Sequence, residues 1–92
     1  MIDTNEIEAL PREVRVGIRL LPPEARPLVR LSGHRVDWSA IDAHGWSPGE
    51  GVRVEAAKSL MGDANTFRIL DAVCLLDAEG LDALLDAIRS MR

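Results

Sequence analysis

The residues that could do chemistry in this chain are few: His34, His44, Cys74, five serines and a scatter of carboxylates. Metal binding needs ligands at spacings that bring them together, such as histidines at i and i+4 on a helix or a Cys-x-x-Cys pair. His34 and His44 stand ten residues apart with no such companion, so neither a metal nor a cofactor is predicted. His44 is accounted for as a helix-terminal residue, where imidazole suits the negative end of the helix dipole. Cys74 lies in the apolar run 72–76 with no basic neighbour, which predicts a buried, unreactive thiol. No serine occupies a Gly-x-Ser-x-Gly elbow. The Gly49-Glu50-Gly51 stretch is too short and too acidic to cradle a phosphate. Asp82 and Asp86, at i and i+4, read as a solvated helix face rather than an acid–base pair. No catalytic residue emerges, and the sequence predicts a protein that is not an enzyme.

The elements that would position any site are announced by helix punctuation, clearest in the second half. Ser47, Pro48 and Glu50 spell a capping box with proline at the first helical position. Behind it, Val52, Ala56 and Leu60 form one stripe flanked by Val54, Ala57 and Met61, and Gly62 closes the helix. Gly49 and Gly51 weaken its first turn, and Trp46 is the neighbour expected to lie across them. Asn65 or Thr66 is expected to open a second helix that buries Phe67, Leu70, Val73 and Cys74. Asp77 caps a third, in which Leu81, Leu84, Leu85, Ile88 and Met91 form an apolar stripe expected to face the core. Helices are therefore predicted over 47–61, 66–75 and 78–91.

The first half is less decided. Val14, Val16, Ile18 and Leu20 alternate as in a half-buried strand, whereas Leu10, Val14, Ile18 and Leu21 fall on one helical stripe. Pro11 suits a helix start, and helix is the favoured reading. A second short helix is expected from about Pro27, stopped by Gly33, and a third from an Asp37 cap to Gly45. The predicted fold is a mainly α, small multi-helix domain spanning 1–92. The alternative is an α+β arrangement with an N-terminal β-hairpin around 12–31.

Composition narrows the function classes. The chain is 92 residues long, 47% hydrophobic, and its formal net charge is −4. Arginines outnumber lysines ten to one, and six of them precede residue 37, so residues 1–36 carry +1 and the remainder −5. A lone cysteine rules out an internal disulfide and suits a reducing compartment. The polar, acidic first residues do not resemble a secretory signal, and the longest apolar run is far too short for a membrane span. A cytoplasmic protein is expected. Overall acidity makes nucleic acid an unlikely partner class.

What remains is binding to another protein. Trp38 and Trp46 sit in a Pro/Gly-rich connection, and tryptophan and arginine dominate interface hot spots. Trp38, Trp46, Arg26 and Arg30 are the predicted partner-binding residues; the competing role for both tryptophans is to close the core. An apolar stripe on the last helix wider than the fold can cover would offer a further interface. The expectation is a non-catalytic interaction module (a small regulator, inhibitor or adaptor) with self-association as one form. The alternative is a DNA-associated regulator with an arginine-rich first half and a helix-turn-helix-like second half. Against it, Glu79, Asp82 and Asp86 on the last helix would repel phosphates.

Overall fold

The computed structural model describes residues 4–65 and 67–92. In chain order its elements are α1 (Thr4–Glu8), α2 (Arg12–Leu20), a 3-10 helix (Pro23–Leu28), β1 (Arg30–Ser32), β2 (Arg35–Asp37), α3 (Ser39–Asp42), α4 (Pro48–Leu60), α5 (Ile69–Leu75) and α6 (Ala78–Ser90). The architecture is mainly helical with one two-stranded hairpin. The radius of gyration, 12.2 Å, is that expected of a folded chain of this length.

Helix α2 is the spine of the core, and its burial explains why its sequence reads two ways. Leu10, Val14, Ile18 and Leu21 are buried as the helical stripe requires, but so are Val16 and Leu20. Both α4 and α6 pack on α2, so most of its circumference is covered and no single apolar face stands out. Gly17 permits the close approach to α4, because a Cβ there would run into the Met61 side chain. Pro11 stands just before the helix, at the N-cap, rather than inside its first turn.

The hairpin exists, but at 30–37 rather than 12–31. The segment from Pro27 does not become an α-helix ended by Gly33. Pro23–Leu28 forms the 3-10 helix instead, and the chain then extends into β1. β1 and β2 pair antiparallel in the register Arg30↔Asp37, Leu31↔Val36, Ser32↔Arg35. Gly33, with φ of 66°, takes the first position of the two-residue turn. Such turns require positive φ there to match the strand twist. Only Val36 of the two strands is buried.

Asp37 acts one residue before the predicted position, since Trp38 is the N-cap residue of α3. Its carboxylate accepts hydrogen bonds from the Ser39 amide at 3.0 Å and the Ser39 hydroxyl at 2.7 Å. Those two bonds, the amide first, hold its pKa below the ordinary aspartate value. The start of α4 follows the sequence closely. Ser47 accepts from the Glu50 amide, and the Glu50 carboxylate accepts from the Ser47 hydroxyl at 2.7 Å and from the Ser47 amide. This reciprocal pairing, the hydroxyl foremost, lowers the Glu50 pKa. At the other end the Asp63 amide donates to the Lys58 carbonyl and the Gly62 amide to the Ser59 carbonyl. With Gly62 at φ 78°, these bonds make a Schellman stop.

The last two helices depart most from expectation. α5 starts at Ile69 with no side-chain cap; Asn65 does not cap it, and Thr66 lies outside the described residues. Phe67 is half-buried against the core, yet Leu70, Val73 and Cys74 are exposed and Ala72 is the buried residue of this helix. Asp77 caps α6 as predicted, accepting from the Gly80 amide at 2.7 Å. The α6 stripe keeps its period but is rotated. Gly80 and Ala87 are buried, Ala83, Leu84 and Met91 half-buried, and Leu81, Leu85 and Ile88 are exposed. Small residues at i, i+3 and i+7 let the backbone of α6 come close to α2 and α4, so the larger leucines are left outside. A Cβ at Gly80 would lie 3.2 Å from Leu76 and 3.6 Å from the stem of Arg53.

Candidate functional site

The four residues predicted to meet a partner sit around the hairpin, the 3-10 helix and α3, and three of them, Arg26, Trp38 and Trp46, already donate hydrogen bonds within the protein. The Trp38 indole donates to the Asp63 carboxylate at 2.9 Å, and the Lys58 ammonium stands 5.3 Å from its ring centre. Lys58 also pairs with Asp42 at 2.6 Å, and Arg35 pairs with Asp63. Together these contacts latch the hairpin and α3 onto the C-terminal end of α4. The Trp46 indole donates to the Ile41 carbonyl at 2.7 Å and stacks on His44, ring centres 4.0 Å apart. Both tryptophans are half-buried and pack against the core. Arg26 is exposed and reaches back to the Arg19 carbonyl; Arg30 is exposed opposite Asp37. No hydrogen bond or ring contact joins any two of these four residues.

Several arginines do work that the sequence did not announce: they close helix C-termini from a distance. Arg12 donates to the Ser90 and Arg92 carbonyls at the end of α6. Arg35 donates to the Met61 carbonyl at the end of α4. Arg53, the one buried charged residue among those described, donates to the Leu20 and Leu21 carbonyls at the end of α2, at 3.0 and 3.3 Å. The last carbonyls of a helix have no intrahelical donor and carry the negative end of its dipole, so a guanidinium serves them in both respects. Arg12, Arg26, Arg35 and Arg53 thus spend their donors on backbone oxygens. Three of the six arginines counted toward phosphate contact, Arg12, Arg26 and Arg35, are occupied this way.

The surface that lacks an internal purpose is apolar. On α5, Ile69 is 76% exposed, Leu70 60% and Val73 69%, a degree of exposure rare for large aliphatic side chains clustered on one helix. At 100° per residue these three and Cys74 form one outward stripe, opposite the flank that seats Ala72. Cys74 is therefore exposed, contrary to its expected burial. Its apolar neighbours mark the outer stripe rather than the core. Beside the inner flank of α5 lies a groove of about 250 Å³ against α4, lined by Val52, Glu55, Phe67, Arg68 and Asp71 among others. Helical spacing made this stripe visible in the sequence but could not say which way it faced. The single small residue Ala72 among large ones was the available clue to the packed side.

Among the described residues, no three His, Cys, Asp or Glu side chains gather closely enough to hold a metal ion, and no helix is long and apolar enough to cross a membrane. Compared with family models, curated proteins and solved structures, the chain matches none of them.

Proposed function

We propose that this protein is a non-catalytic interaction module, a cytoplasmic regulator, inhibitor or adaptor, that binds another protein through the outer face of α5. The observation that carries this reading is the exposure of Ile69, Leu70 and Val73 on a helix that buries only an alanine. A seven-residue helix with its large side chains in water gains little from tertiary packing, which normally supplies most helical stability. Covering those side chains with a partner would remove several hundred Å² of apolar surface from water, the scale of a functional patch. The acidic balance of residues 37–92 suits an apolar partner surface edged by basic side chains. Engagement of Arg12, Arg26 and Arg35 in helix capping weighs against the DNA-associated alternative.

The test is capture of companions from the native host by the wild type and by Val73→Asp, both checked for folding by circular dichroism. Since Val73 is exposed, the variant is expected to fold normally and to lose the companions that the wild type retains. Equal capture by both, or no specific companion for the wild type, counts against the reading.

A further inference from the structure

Helix α6 carries a second unpartnered stripe with a charge pattern that α5 lacks. Leu81, Leu85 and Ile88 are exposed along one line of this helix. Asp82 and Arg89 are seven residues apart, so they share one flank of that line, two turns from each other. Both are exposed, and neither side chain makes a hydrogen bond or ion pair with any described residue. A carboxylate and a guanidinium placed this way cannot reach each other within one helix. They do meet when the same helix is laid against itself in the opposite direction.

We infer that a second copy of this chain docks on α6, the two helices antiparallel about a two-fold axis near residues 86 and 87. In this register Leu85 packs on Ile88 of the partner subunit, and Ile88 on the partner's Leu85. Asp82 then faces the partner's Arg89, and Arg89 the partner's Asp82. Symmetry makes the interface self-complementary, so each charge pair occurs twice. The antiparallel arrangement also sets opposite ends of the two helix dipoles side by side. Leu81, Leu85 and Ile88 are only 39%, 41% and 47% exposed, so the contact falls in the small interface class, below about 1,200 Å² in total, and the dimer is weak. The inference rests on the interaction-module reading but uses a different helix from the proposed α5 face, which lets the two be tested apart.

The experiment is sedimentation equilibrium from micromolar to high-micromolar concentration on the wild type, Asp82→Arg, Arg89→Asp and the double variant. Circular dichroism confirms that each is folded. The wild type is expected to dimerise with concentration. Each single reversal turns both pairs repulsive and is expected to weaken association about tenfold, and the double variant restores it. A wild type that stays monomeric, a dimer indifferent to both single reversals, or a double variant as weak as the singles would each overturn the inference. None of these results touches companion capture through Val73, whose loss or retention judges the α5 reading separately.

Discussion

Leu21→Ala is expected to destabilise the protein by about 2–5 kcal/mol, whereas Leu85→Ala should cost less than about 1 kcal/mol. The same side-chain truncation is made in both cases; the environment decides the difference. Leu21 is 0% exposed at the end of α2, so truncation loses transfer free energy and leaves a cavity that the packed helices refill only in part. Leu85 is 41% exposed on α6 and has less to lose. For a domain of this size about 1 kcal/mol shifts Tm by about 4–8 °C, so Leu21→Ala should melt some 10 °C or more below the wild type. Thermal unfolding should be followed at low micromolar concentration, where self-association adds nothing to apparent stability. Equal losses in the two variants would mean that α6 turns its leucines inward.

Arg53→Met is expected to cost about 2–4 kcal/mol, although it places a hydrophobic residue at a buried position. Methionine matches much of the arginine stem in volume but has no N–H to offer. The Leu20 and Leu21 carbonyls, which receive the Arg53 Nε and Nη2 donors, would be left in a buried setting without them. A buried acceptor stripped of its partner bears its full desolvation cost, and bonds from charged donors are the stronger kind. Arg53→Lys should recover only part of the loss, because an ammonium cannot reproduce the planar fork that serves two carbonyls at once. Urea denaturation of the three proteins measures this. A Met variant within about 1 kcal/mol of the wild type would show that α2 ends satisfactorily without the guanidinium.

The parts of the fold that were legible in the sequence are those set by local chemistry. The Ser47–Glu50 capping box, the Asp77 cap and the Gly62 stop each depend on residues within one turn of one another, and each formed where the spelling placed it. Burial was legible where one apolar face had to be satisfied, as along Val52, Val54, Ala56 and Ala57. It failed where two solutions share a period. On α6 the small residues Gly80, Ala83 and Ala87 lie just beside the leucines, and close backbone approach favoured the small side. On α5 the period alone could not separate a stripe that faces the core from one that faces outward, and the lone small residue Ala72 was the one hint of the packed side. Gly33 was read as a helix stop because positive φ serves a helix end and a hairpin turn alike; the choice was made by pairing between β1 and β2, which lies beyond local reach. The tryptophans and arginines stood out by residue type, but the internal contacts they make did not. Their partners, Asp63, Ile41 and the terminal carbonyls of α2, α4 and α6, are five to eighty residues distant and thus invisible to spacing.

The native fold holds the α5 stripe in water. Cys74 stands on that stripe and reports on it directly. Native protein at about 1 µM, where a weak dimer is dissociated, should react with a disulfide reagent as fast as it does after unfolding in urea. A thiol that reacts only once the chain is unfolded would place α5 the other way round, with its large side chains in the core and no face left to bind.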